Sequence, residues 1–362
     1  MKKFITTILT AAVAFGCSAC SFTAVNDGGT DGFVAEEVCG ANNASVAYDE
    51  ENFEYVTHDY PEGVNKYAKN IILDNKFTQG MEMLGHINNG GKDWLSGYYM
   101  TLGDTTDTSK TQWQLAEWLS KSTLAHGTES NANYTYTKDG DTHTYKNDHK
   151  LVAINPVEGS LTLGVNGIAE YGNAERPLAG TGVNNWAHLL AIYPPKIVKL
   201  DTITDTKVYI DFKIDSVVQS TAFTPTVPGE QAAQFVLYFV IHNDIDKDYV
   251  WFGIPLYDNR EEDDPFVYGE LFQWDGYTSS AIYNVPKNEY FKTQPIVGER
   301  YTKLIDIDDS IKYCTQQLVA QGVWPSNTSR ENLSLEFSNI GWEVPGTINC
   351  QATIYNFSCF VI

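Results

Sequence analysis

Asp258 closes the apolar segment Trp251–Tyr257, and Glu343 stands inside Gly341-Trp-Glu-Val-Pro-Gly346. Carboxylates at strand ends, presented on loops by a rigid sheet, are well placed to meet a ligand. As a pair they suit the acid and base, or acid and nucleophile, of glycosidic-bond cleavage. That chemistry needs two carboxyl groups about 5–10 Å apart, one of them able to donate a proton. Arg260 follows Asp258 by two residues, so a structural ion pair ahead of the acidic run Glu261–Asp264 fits the same residues.

His188, beside Trp186, and His242, at the end of an apolar run, are the histidines set in strongly patterned sequence. Glu170, Tyr171 and Arg176 precede His188. A polysaccharide lyase would use His or Tyr as base and Arg or Gln against a uronate carboxylate, and Gln234, Arg176 and Arg260 have that chemistry. A hydrogen-bonded core histidine fits either position equally well. Trp274 and Tyr277 fall in the polar, Gly-containing stretch Phe272–Tyr277, where an exposed aromatic would stack on a sugar ring and a buried one would pack in the core.

Asp244, Asp246 and Asp248 alternate like the start of a calcium loop. The pattern then breaks, because Tyr249 stands where a turn glycine is needed and Pro255 where the closing glutamate would fall. The three read instead as a polar hairpin turn. No cofactor is expected, although a structural calcium ion on another acidic loop is compatible with the composition. Zinc-ligand spacing, a nucleophile elbow, a Walker loop and a dinucleotide fingerprint are all missing, which counts against the corresponding enzyme classes.

The N-terminus carries Lys2 and Lys3, an apolar run from Phe4 to Phe15, and then Cys17 and Cys20 among small residues. That is the pattern of an export signal, too short to span a bilayer as a mature helix. Cys17-Ser18-Ala19-Cys20 resembles a bacterial lipobox, which implies lipidation of Cys20, and Ser18-Ala19 would also suit an ordinary signal peptidase. Removing residues 1–20 takes away two lysines and leaves Cys39, Cys314, Cys350 and Cys359. Four cysteines suit disulfides in an oxidising compartment, and buried free thiols are the other reading. Cys350 and Cys359 cannot pair within one strand, since nine extended residues span about 30 Å.

The whole chain has 46 acidic against 24 basic residues, so the exported part carries 22 basic residues and a net charge of −24. A nucleic-acid binder would need a basic stripe, and none is present. The same charge disfavours polyanionic substrates and an anionic membrane surface, which leaves the lipid anchor as the membrane contact. With 22 Tyr, 17 Phe and 8 Trp, the composition suits both a β-rich core and contacts to neutral sugars.

Residues 21–66 are rich in Gly, Asn, Asp, Glu and Thr and read as a flexible tether. From about residue 67 to 362 a single domain is expected. Val208, Ile210, Phe212 and Ile214 alternate with polar residues, as do Leu161, Leu163 and Val165, and Leu333, Leu335 and Phe337. Gln234–His242 is apolar on both faces, and Tyr249–Leu256 follows it as a hairpin partner. Ile348–Phe357 reads as a closing strand. One helix is predicted from Asp308 or Asp309, as cap, to Gly322, with Ile311, Cys314 and Leu318 on one face. Trp113–Leu124 is a candidate second short helix. In such a helix Trp113 and Trp118 would point in different directions, placing at least one in the core. The expectation is an all-β, two-sheet jelly-roll β-sandwich with one or two short helical insertions.

The segments Trp113–Lys121, Trp186–Leu190, Ala232–Phe235, Trp251–Arg260 and Ile340–Gly346 resemble a family of uncharacterised exported bacterial jelly-roll lipoproteins, across most of the chain from residue 67. The resemblance implies that fold and brings no activity with it. The closing Gly-Trp-Glu and final strand also look like carbohydrate-binding sandwiches, a likeness of fold that hosts binding, hydrolysis and lyase chemistry alike. An envelope-tethered protein binding an extracellular glycan is the expectation, with a glycosidase on the same sandwich as the alternative and a structural or adhesion protein as the third reading.

Overall fold

The computed structural model describes residues 61–362 apart from 65–67, 84–86, 89–90, 93–97, 101–110, 119, 125–132, 177–185, 194–196, 227–230, 261–270 and 276–279, together with two paired three-residue strands, Phe22–Ala24 and Ala35–Glu37. The expected export signal, Cys17, Cys20, Cys39, Tyr277 and most of the expected tether lie outside the described residues.

Apart from the small pair Ile87–Asn88 and Gly91–Lys92, the strands from Lys69 to Val361 form two sheets, the β-sandwich expected from the alternating apolar runs. In the eight-stranded sheet the order is Arg300–Asp306, Thr206–Gln219, Ile348–Val361, Ser160–Asn166, Lys150–Asn155, Thr142–Lys146 and Thr135–Asp139, with Lys69–Asn70 added against the C-terminal strand. The ten-stranded sheet runs Leu271–Asp275, Ser280–Asn284, Asp248–Asp258, Gln234–Asn243, Leu333–Val344, Ala187–Ile192, Trp113–Ala116, Met81–Met83 and Tyr98–Met100, with Val198–Lys199 beside Leu333–Val344.

The core lies between them. Val208, Ile210, Phe212 and Ile214 are fully buried on one face, as a two-residue period requires. They meet Phe235, Leu237, Phe239 and Ile241 of the opposite sheet in one apolar cluster. Phe337 and Phe357 pack across the two sheets with ring centroids 4.8 Å apart. Trp342 reaches across as well, its Nε1 donating to the Leu163 carbonyl at 3.1 Å. Cys314, Cys350 and Cys359 are buried in this core, and Cys350 and Cys359 are free thiols on the same strand. The thiol reading therefore holds for those two, and burial pushes both thiols up in pKa, Cys359 to about 12.

Two local expectations need correction. Trp113–Leu124 is not helical: Trp113–Ala116 is a strand that pairs with Met81–Met83 and Ala187–Ile192. Trp113 and Leu115 alternate into the core, and the Trp113 indole is fixed by Nε1 donating to the Asp74 carbonyl at 2.7 Å. Beyond the strand the Glu117 carboxylate accepts the Leu124 N–H at 2.8 Å, closing a loop where the helix was expected. Both Trp113 and Trp118 are buried. The second correction concerns the cap of Asp308–Ala320, which is Ile307. Asp308 and Asp309 occupy the first turn, where their charge suits the helix dipole, and Asp308 accepts the Thr206 N–H at 2.9 Å.

This helix ends at Gly322 as predicted. Gly322 N–H bonds to Val319 O at 3.0 Å and Val323 N–H to Leu318 O at 2.9 Å, the paired bonds of a Schellman end. Gly322 has φ +72°, and an added Cβ would meet nothing within 4 Å. Gly322→Ala should therefore lose about 1 kcal/mol of conformational origin alone in urea unfolding. A loss above about 3 kcal/mol would point to a clash the structure does not contain.

Candidate functional site

Register places residues from four distant parts of the chain in one row. Asp258 pairs with Gln234, Gln234 with Glu343, and Glu343 with His188. Directly paired residues share a face, and Phe235 and Trp342, one position along, point into the core. The row is therefore on the outer face of the ten-stranded sheet.

The polar contacts are continuous along it. Arg260 grips Asp258 through Nε at 3.0 Å and Nη2 at 2.6 Å, and Gln234 Nε2 donates to the same carboxylate at 2.9 Å. The expected Asp258–Arg260 ion pair is thus present, and both Asp258 oxygens accept hydrogen bonds. Glu343 Oε1 lies 4.0 Å from His188 Nε2. His188 Nδ1 faces the carbonyls of Trp118 at 2.9 Å and Trp186 at 3.0 Å. Two acceptors at Nδ1 place the proton there and leave Nε2 as a bare acceptor. Burial, offset in part by those two carbonyls, lowers the His188 pKa to about 4, so the ring is neutral at pH 7.

The row continues past His188. Trp186 and His188 have ring centroids 6.1 Å apart, and the buried Arg176 lies 5.8 Å over the Trp186 ring with Nε donating to the Pro345 carbonyl at 2.6 Å. Tyr171 OH donates to Val344 O at 2.8 Å and accepts Ala187 N–H at 3.0 Å, bracing the two strands beneath. Burial raises the Tyr171 pKa, so its phenol keeps its proton and is poorly suited to act as a lyase base. Asp258, Glu343, Arg260, Trp186, His188 and Arg176 are thus neighbours.

Trp274 is set apart from them. It pairs with Ala281, a core residue, so it lies on the core-side face of the edge strand, opposite the row. It is 57 % exposed.

The same outer face carries residues that the sequence reading passed over. Trp251, Tyr238, Val236, Val240 and Ile282 form a second apolar cluster, with half-buried Tyr249 packed on it. Tyr249 and Trp251 have ring centroids 6.3 Å apart, and Trp251 and Tyr238 meet edge-on at 6.2 Å. Gly253 lies among them: a Cβ there would stand 2.0 Å from Asn284 Oδ1 and 2.7 Å from the Tyr238 ring. A glycine inside a strand marks such close approach, and that was the signal available in the sequence. His242 Nε2 donates to Glu336 Oε2 at 2.7 Å farther along, and Gln114 Nε2 donates to Glu82 Oε2 at 2.9 Å near the other edge.

Among the described residues, His188 Nε2, Trp251 Nε1, Asn284 Oδ1 and Ser334 Oγ are buried on this face without a hydrogen-bond partner. Each such group costs about 1–3 kcal/mol in a folded protein unless something pairs with it. The set contains a donor, two acceptors and a hydroxyl that does both.

Metal-ligating carboxylates gather elsewhere. Among the described residues Asp205, Asp306 and Asp308 bring oxygens within 4.8 Å of one another. Lys207 Nζ bonds to Asp205 at 2.8 Å and Asp306 at 2.9 Å, and Arg330 Nη2 lies 2.8 Å from Asp308, so basic side chains already balance the cluster. At the hairpin turn Asp244 is paired with Lys199 rather than with a second carboxylate.

No family model matches the chain, and no curated protein matches it. Solved structures resemble it loosely. A family 12 xyloglucanase from Bacillus licheniformis is 13 % identical over 65 % of this chain and 99 % of its own, with TM-score 0.36. The xyloglucanase domain of NopAA, a type three effector from Sinorhizobium fredii, in complex with cellobiose, is 10 % identical over 64 % and 98 %, with TM-score 0.33. Endoglucanase 3 from family GH12 of Trichoderma harzianum is 10 % identical over 64 % and 96 %, with TM-score 0.29. Likeness at this level transfers no residue and no chemistry.

Proposed function

We propose that this chain is an exported protein, tethered to the bacterial envelope through a lipid on Cys20, that binds a neutral extracellular polysaccharide along the outer face of the ten-stranded sheet. The observation that carries the reading is the pair of unpartnered polar atoms Trp251 Nε1 and Asn284 Oδ1 in the Trp251, Tyr238 and Tyr249 cluster, with unpartnered Ser334 Oγ farther along the same face. A sugar hydroxyl donates and accepts at once, so hydroxyls suit Trp251 Nε1, Asn284 Oδ1 and Ser334 Oγ, while ring C–H surfaces suit the aromatics. Glu82, Glu336, Glu343 and Asp258 on the same face disfavour an anionic chain, as does the net charge of −22. No helix among the described residues is long and apolar enough to cross a membrane. Neither nucleic acid nor a resident cofactor enters the proposal, and a calcium ion would be structural.

Hydrolysis is the second reading, favoured by Asp258 and Glu343 standing in one row with Gln234 between them. Their backbones are two strand spacings apart, about 10 Å, near the carboxyl separation of inverting glycosidases. Asp258, held by Arg260 and Gln234, suits a fixed charge, and Glu343 beside the bare His188 Nε2 suits the proton-handling role.

One experiment separates the readings. The protein is incubated with a panel of neutral polysaccharides, with retention and released saccharides followed together. Binding predicts retention without release, weakened roughly tenfold in Tyr249→Ala with the cooperative unfolding transition kept. Release that vanishes in Glu343→Gln would make the protein a hydrolase. Neither retention nor release on any glycan would sink both and leave a structural or adhesion role.

A further inference from the structure

A depression of about 300 Å³ opens at one end of the outer face, lined by Ile197, Lys199, His242, Asp244, Asp248 and Ser334 among others. We infer that it is an end-recognising subsite, holding the terminal residue of a neutral glycan whose following residues lie along the sheet. The inference rests on the glycan reading above and adds to it which part of the chain is recognised.

Position comes first. Asn243 and Asp248 are the last paired residues of their hairpin, and the chain turns back between them with Lys247 at φ +63°. The paired part of the sheet stops there, so the depression stands at the end of the outer face. The turn is braced: Asn243 Nδ2 donates to Thr328 Oγ1 at 3.1 Å and its Oδ1 accepts the Ile245 N–H at 3.0 Å. The volume is at the lower bound of small-molecule sites, which suits one or two sugar residues.

Chemistry comes second. Ser334 is 1 % exposed, and its Oγ has no partner although it lines the depression. It pairs in register with His242, whose Nε2 is committed to Glu336 at 2.7 Å, leaving Nδ1 as the ring's second polar atom. The depression therefore offers a hydroxyl and an imidazole nitrogen, side by side, to a vicinal pair of ligand hydroxyls. Its lysines and aspartates are equal in number, two of each. Lys199 pairs with Asp244, and Lys247 Nζ lies 3.9 Å from the same carboxylate. A neutral polyhydroxyl ligand fits such a lining better than an ion does. Continuity with the main site is direct, since the His242 and Tyr249 rings lie 6.1 Å apart and Tyr249 leads on to Trp251.

The test compares short and long ligands. Neutral gluco-, xylo- and manno-oligosaccharides and their parent polysaccharides are titrated against wild type and Ser334→Val, a swap that keeps the strand and removes the hydroxyl. In an end-recognising subsite one chain end carries much of a short ligand's contact. The expected result is a three- to tenfold loss of affinity for the oligosaccharides, with polymer retention changed less than twofold. Ile197→Trp gives an independent arm, because Ile197 is 55 % exposed and a larger ring there narrows the mouth without entering the core. If wild type binds oligosaccharides and both variants bind them equally well, the subsite is overturned and the outer-face reading survives. If both variants lose polymer and oligosaccharide alike, the depression is not end-specific and the inference also falls. If wild type binds none of the probes, the glycan reading fails and this inference fails with it.

Discussion

Arg260→Ala is expected to destabilise the protein by about 3–5 kcal/mol in urea unfolding at pH 7. Asp258 is 3 % exposed, and Arg260 supplies its cationic partner through two guanidinium nitrogens. Without the guanidinium the carboxylate keeps Gln234 Nε2 and the Arg260 backbone N–H, and those neutral donors do not replace a charge partner in a low-dielectric site. The asymmetry is the informative part. Replacing both members, as in Asp258→Leu with Arg260→Leu, removes the uncompensated charge and should recover much of the loss. A single-variant loss below about 1 kcal/mol would mean that the pair behaves like a solvent-exposed one, and that the end of the polar row is wet. The same comparison reports on function. A row held by a structural ion pair should keep its glycan retention in the double variant, whereas a row using the Asp258 charge should lose it.

Much of the architecture could be read from local periodicity, because burial writes itself into the sequence at two-residue spacing. Val208 through Ile214 alternates and is a strand with one buried face; Gln234–His242 does not alternate and is a strand in the middle of the ten-stranded sheet. Trp113–Leu124 misled because two tryptophans five residues apart fit a helix with divergent faces as readily as a strand followed by a buried loop. What decided between them was pairing with Met81–Met83 and Ala187–Ile192, which no local window contains. The site shows the same division. Asp258, Glu343, His188, Gln234, Arg260 and Arg176 each have recognisable chemistry, yet their assembly depends on the register of four strands from residues 188, 234, 258 and 343. Trp251 and Tyr238 were hidden for the opposite reason, since aromatics in a run apolar on both faces look like core. Trp274 was singled out for its polar surroundings, but a side chain's face follows from its strand partner, and that partner, Ala281, points into the core.

His188 should make the protein acid-sensitive in a defined window. Burial is the main cause of its lowered pKa, and the Trp118 and Trp186 carbonyls that fix its Nδ1 proton offset only part of it. In the unfolded chain a histidine titrates near 6.5, while in the folded protein this one titrates near 4. Between those values the unfolded state holds a proton that the native state lacks, so acidification favours unfolding. The stabilisation is fully present above about pH 6.5, declines as pH falls, and is exhausted near pH 4, a total of roughly 3 kcal/mol. Carboxylates elsewhere also titrate on the way down, so the measurement is a difference. Urea unfolding of wild type and His188→Gln is compared at steps from pH 7 to 4, and the stability gap between them should shrink as pH falls. A gap that stays constant across that range would mean the imidazole is solvated or already charged, contrary to its complete burial.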